Sequence, residues 1–88
     1  MFDIEFSKSF AKNLDKVPTN VIIRFYDDLK NIIRNPYPSN EAVDVKKLQG
    51  LNSHYRLRVG KYRFLFTVIE DKVLVYFYDV GSRGDIYK

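Results

Sequence analysis

The chain has 88 residues and no cysteine, which excludes a disulfide framework or a thiolate metal site and limits it to one small core. Hydrophobic residues make up 45% and aromatics 16%, with seven Tyr, seven Phe and no Trp, a composition too apolar for a disordered tail. The net charge is +4, yet Lys46 to Ile69 carries six basic residues and no acidic one, leaving nine basic residues elsewhere against all eleven acids, a balance of −2.

A field concentrated in one segment attracts a polyanion, nucleic acid being the commonest, although an acidic protein also responds to it. The start, "MFDIEFSKSF", lacks a basic region followed by an apolar run, and no segment approaches the ~20 apolar residues of a membrane span. The expectation is a single soluble domain over residues 1–88, cytoplasmic and without a membrane partner.

In "FDIEF", Phe2, Ile4 and Phe6 alternate with Asp3 and Glu5, the period of a half-buried strand. Ser7 is placed to cap a short helix to about Lys16, with Phe10 and Leu14 on one face. Past "VPT", Thr19 is placed to cap a longer helix, in which Ile22, Phe25, Tyr26, Leu29, Ile32 and Ile33 follow the spacing of a buried stripe. "RNPYPSNEA" ends that helix, and a loop leads into "VKKLQGLNS". The rest reads as a three-stranded meander, "HYRLRV", "YRFLFTVI" and "KVLVYFYDV", turning at "GK" and "ED". The fold class is α+β, with an N-terminal strand and two helices packed on a mainly antiparallel four-stranded sheet.

Gly60 and Lys61 fit the centre of a type II′ turn, Gly60 supplying the positive φ required first. Val59 then pairs with Tyr62, Arg58 lies opposite Arg63, and Arg56 opposite Leu65. A second turn at Glu70-Asp71, of two or four residues, adds Leu74, Tyr76 and Tyr78 to that arginine face. The other face collects Tyr55, Leu57, Val59, Phe64, Phe66, Val68, Val73, Val75 and Phe77, and packs under the helices. Arginines directly opposed across an antiparallel pair cost up to ~1 kcal/mol, and no carboxylate nearby in sequence relieves them. A bound anion relieves them, and the planar guanidinium fork matches phosphate oxygens. A solvated basic face is the alternative.

Metal and cofactor chemistry find little support in the residues. His54 is the sole histidine, without a His or Cys companion, and the acids lack ligand spacing, so no metal or other cofactor is expected. Without an orienting partner, His54 reads as a surface histidine rather than a base. The serines carry no nucleophile elbow, and Gly81 and Gly84 in "GSRGD" lack the Lys-Ser/Thr and helix of a phosphate loop. What remains is a phosphate site of arginines and tyrosines. RNA brings its own nucleophile: a 2′-hydroxyl attacks the adjacent phosphate once the backbone is held in line, the growing charge is neutralised and a proton is moved. Arginines neutralise charge, and a tyrosine whose phenol pKa is lowered by neighbouring cations can move the proton.

The run "KLQGLNSHYRLRVGKYRFLFTVIEDKVLVYFYDVGSRGDIYK", with the strand and helices before it, resembles the RelE branch of the RelE/ParE toxin superfamily. Its most specific parts are "KLQG" with "YRLRVGKYRFLF", and "VGSRGDIY". The resemblance implies a toxin that cuts messenger RNA in the ribosomal A site and is held inactive by a cognate RelB-like antitoxin. Its partners are then the antitoxin and the ribosome with its message, with operator DNA bound only through the antitoxin complex. By position, Arg56 and Arg58 match the basic pair of the family's first meander strand, Arg63 its "YR" arginine, Arg83 the arginine after "VG", and Tyr87 the tyrosine near the C-terminus. In the family these residues contact or stabilise the scissile phosphate, and the tyrosine or a basic neighbour is associated with proton transfer. Lys46, Lys47 and Lys61 extend the basic segment as RNA-binding residues. Where some members have lysine, Arg56 and Arg58 stand, and arginine is a poor general base, so the proton falls to Tyr87. A tail aromatic packed on the sheet edge is the other reading of Tyr87, and an ion pair with Asp85 or Asp79 the other reading of Arg83. Two further functions fit the fold: ParE-like inhibition of DNA gyrase, and a binding module without catalysis.

Overall fold

Alternation of apolar and acidic residues makes strand β1 (Asp3–Phe6), and Ser7 then turns the chain into helix α1 (Lys8–Leu14) by accepting the Phe10 amide at 2.9 Å. In this computed structural model, which describes residues 1–82, helix α2 (Thr19–Ile32) follows, then strands β2 (Val45–Lys47), β3 (His54–Val59), β4 (Tyr62–Ile69) and β5 (Leu74–Gly81). The five strands form one sheet in the order β1-β5-β4-β3-β2, one strand more than the sequence predicts. The additional strand is β2, three residues at the sheet edge with only Val45 buried, too short to show a period.

The hairpin register is the expected one. Val59 pairs with Tyr62, Arg58 with Arg63 and Arg56 with Leu65, around a turn in which Gly60 has φ +60°. β5 runs antiparallel to β4 and parallel to β1, whose Ile4 and Phe6 lie beside Val75 and Phe77. The register slips once, because Phe66 pairs with Phe77 but Leu65 with Asp79, leaving Tyr78 as the extra residue of a bulge.

The helices cover the apolar face, where Phe10, Phe25, Phe64, Phe66 and Phe77 are fully buried. Phe25 of α2 stacks on Phe64 of β4 with ring centroids 4.2 Å apart and planes within 7°, fixing the helix over the meander.

Three expectations are corrected. Thr19 begins α2 rather than capping it; Pro18 occupies the cap and no side chain bonds there. Tyr26 is 47% exposed, and Val21 takes its place in the buried stripe. Val73 does not join the core face: a 3₁₀ turn, Glu70–Lys72, hands over to Val73 at φ 50°, 44% exposed, and pairing resumes between Ile69 and Leu74. Among the described residues no helix is long and apolar enough to cross a membrane.

Candidate functional site: an arginine-lined cleft

β-Strand alternation puts Arg56 and Arg58 on the face away from the helices, and the hairpin brings Arg63 opposite Arg58. β2 completes the arrangement by laying Lys46 beside Arg56 and Lys47 beside Tyr55. A cleft of about 320 Å³ lies there, lined by Lys46, Lys47, Leu48, Gln49, Arg56, Arg58 and Arg63. Five of the expected residues therefore meet in one concavity. Lys61 sits exposed in the hairpin turn and does not line it. Arg83 and Tyr87 lie outside the described residues.

The arginines are not equivalent. Arg56 is only 8% exposed, and its Nη1 donates to both the backbone carbonyl and the carboxylate Oδ1 of Asp44, each at 3.2 Å. Asp44, just before β2, is a carboxylate partner for Arg56 that the sequence does not reveal, though it leaves the opposed Arg58–Arg63 pair untouched; pairing across β2 and β3 brings it in from twelve positions away. Arg58 is exposed, and its Nε donates to the Gly60 carbonyl at 3.2 Å. Among the described residues neither Arg58 nor Arg63 has a carboxylate within ion-pair distance. Among the described residues the opposed pair therefore has no counter-charge, an arrangement suited to an anion.

His54 does have an orienting partner. Its Nδ1 lies 3.0 Å from the Tyr78 hydroxyl, and the two rings meet edge-on with centroids 5.5 Å apart. Depending on the tautomer, the phenol donates to Nδ1 or Nδ1–H donates to the phenol oxygen. Burial, assisted by the Asp79 carboxylate, pushes the Tyr78 phenol pKa up, so this tyrosine stays protonated. Asp79 is itself held by the Asn13 amide at 3.1 Å and the Val80 N–H at 2.9 Å. No group of three or more His, Cys, Asp or Glu among the described residues is arranged to hold a metal.

The chain that carries this cleft is similar to known proteins. Residues 4–87 match the profile of the ParE toxin of type II toxin-antitoxin systems, parDE. The chain belongs to this RelE/ParE toxin family. The protein named RelE1 of Methanocaldococcus jannaschii is 30% identical over 87 residues, covering 99% of this chain and 96% of the relative. The RelB-RelE antitoxin-toxin complex from Methanococcus jannaschii contains a chain matching at TM-score 0.76 and 32% identity, with 94% of each chain covered. A chain of the intact Escherichia coli RelBE toxin-antitoxin complex matches at TM-score 0.78 and 25% identity, covering 94% of this chain and 98% of that one. The family resemblance and the α+β fold expected from the sequence both hold.

Proposed function

We propose that this RelE/ParE family toxin is a ribosome-dependent endoribonuclease that cuts messenger RNA in the A site and is neutralised by a RelB-like antitoxin. The observation that carries the reading is the opposed Arg58–Arg63 pair, without a carboxylate partner among the described residues, in a cleft walled by Lys46, Lys47 and Arg56. In this mechanism the 2′-oxygen bonds to the adjacent phosphorus and the 5′-oxygen leaves, producing a cyclic phosphate and a free 5′-hydroxyl. Arg58 and Arg63 neutralise the charge that grows on the phosphoryl oxygens, while Arg56, anchored by Asp44, fixes the cleft floor. Arg83 and Tyr87 take their roles from the resemblance, Arg83 on the phosphate and Tyr87 in proton transfer. The lysines follow the RNA backbone, Lys61 from the hairpin tip. No step requires a metal ion or other cofactor, because the nucleophile belongs to the RNA.

The antitoxin is expected to be acidic and partly helical, covering the arginines, with operator DNA bound only by the toxin-antitoxin complex. A cytoplasmic site of action follows from the ribosomal substrate. Gyrase inhibition is the second reading, favoured by the ParE description of the family profile. The cleft favours RNA, since inhibiting gyrase has no need of a phosphate-cleaving cluster.

The test is primer extension on a defined message in a purified translation system. Wild type is expected to cut within A-site codons and Arg63→Ala to fold but cut about 100-fold more slowly or less, the loss typical of one transition-state charge donor. Undiminished cutting by Arg63→Ala refutes the assignment. Gyrase inhibition without message cleavage establishes the second reading.

A further inference from the structure

Beyond the arginine cleft the same sheet face carries an aromatic group. Rows of side chains cross the sheet: Arg58 with Arg63, then Arg56 with Leu65, then His54 with Thr67 and Tyr76. Successive rows are about 7 Å apart along the strands, so the His54 row lies about 13 Å from the opposed arginines. Tyr78 joins it through the bulge. His54 and Tyr78 belong to β3 and β5, with β4 between them, so their hydrogen bond arches over β4. Leu65, on that side of β4, is 1% exposed although its face is the polar one. His54, Tyr76 and Tyr78 are all half-buried, so none is closed off from solvent. Between His54 and Tyr76 in this row stands the short Thr67, whose hydroxyl is occupied in donating to the Ser53 carbonyl at 2.8 Å.

We infer that His54, Tyr76 and Tyr78 form a nucleobase subsite that stacks one unpaired base of the RNA whose phosphates lie in the arginine cleft. Single-stranded RNA is recognised by splaying bases onto aromatic side chains beside a basic track, and both halves of that arrangement occur here on one rigid sheet. The His54–Tyr78 hydrogen bond holds the two rings in a fixed relation, so no ordering of loose side chains opposes stacking. Of the polyanions the basic segment attracts, only nucleic acid has flat apolar groups at regular intervals along its charge. The inference rests on the proposed RNA substrate and assigns the base contact that the arginines leave open.

The experiment uses the full chain and ribosomes programmed with a message whose A-site region carries 2′-O-methyl groups, to block cleavage, and 2-aminopurine at one position at a time. Wild type is expected to quench 2-aminopurine at one position through stacking. His54→Ala and Tyr76→Leu are expected to abolish that quench and to weaken binding about tenfold, the scale of losing one base–aromatic stack. An abasic residue at the same position should weaken wild-type binding equally and leave the His54→Ala variant unaffected. Tyr78→Phe, which keeps the ring and the cover over Leu65, should retain part of the quench. Quenching unchanged in His54→Ala and Tyr76→Leu overturns the subsite. A wild type that cuts unmodified message but quenches at no position overturns the subsite alone, and one that neither cuts nor binds overturns the nuclease reading with it.

Discussion

Replacing Arg56 by alanine should destabilise the fold far more than replacing Arg58, its neighbour on the same face. Arg56 loses two hydrogen bonds to Asp44. At a typical net value these contribute about 1 kcal/mol each. The carboxylate bond falls below that, because the Asp44 side chain is 50% exposed and solvent screens it. The stem of Arg56 adds buried methylene surface, at most about 0.8 kcal/mol per methylene. Together these give about 2–4 kcal/mol for Arg56→Ala, against a change within about 0.5 kcal/mol in either direction for exposed Arg58→Ala, where the lost Gly60 bond and the relieved repulsion from Arg63 oppose each other. The Asp44 carbonyl is not orphaned by the change, since it also accepts the Arg58 amide at 2.9 Å, which keeps the loss from rising further. In a domain of this size each kcal/mol moves the melting temperature by about 4–8 °C, so Arg56→Ala should melt roughly 10–25 °C below wild type. Asp44→Asn, which keeps an acceptor and removes the charge, should cost under about 1 kcal/mol. Urea denaturation and thermal melts of the three variants measure this directly. Arg56→Ala melting within a few degrees of wild type, or Arg58→Ala matching its loss, refutes the structural role of the Asp44 pair.

Other consequences concern the far end of the sheet. The Tyr37 hydroxyl donates to Glu70 Oε2 at 2.6 Å, and this bond pushes the Tyr37 phenol up to about 12. Its folded pKa exceeds the ordinary value near 10, so the stability this bond contributes is full below about pH 10 and lost as pH rises through about 12. Ultraviolet difference titration should show Tyr37→Phe losing the latest phenol step, and loss of an early step instead contradicts the assignment. Val73, a β-branched residue at φ 50°, carries the strain of a left-handed conformation. Val73→Gly should therefore stabilise by about 1 kcal/mol, and a lower urea midpoint would show that its exposed side chain matters more.

The meander and its register were legible because Gly60 fixes a two-residue turn and every pairing follows by counting. The opposed Arg58–Arg63 pair emerged from the same count. Less visible was β2, whose three residues carry no period, and with it went Asp44, since only strand pairing brings that carboxylate to Arg56. The His54–Tyr78 contact was hidden for another reason. Simple alternation places both residues on one face, but their meeting depends on a bulge and on reach across a whole strand, neither of which leaves a mark in local sequence. Tyr26 misled because its spacing fits the stripe, while Val21, one turn before Phe25, packs against the core.

The pairing of β1 with β5 sets an order of events during synthesis. β1 is made before the other four strands, yet among the described residues its only sheet neighbour is β5, and Ser7 also bonds the Phe77 and Tyr78 carbonyls there. Until β5 emerges, Phe6, Phe10 and Phe25 lack the Phe77 ring they pack against. Such a long-range closure delays cooperative folding until β5 is available. A nascent fragment ending before Leu74 can display the Arg58–Arg63 hairpin but cannot hold it on a finished scaffold, so the arginine face is fixed only after β5 has been made.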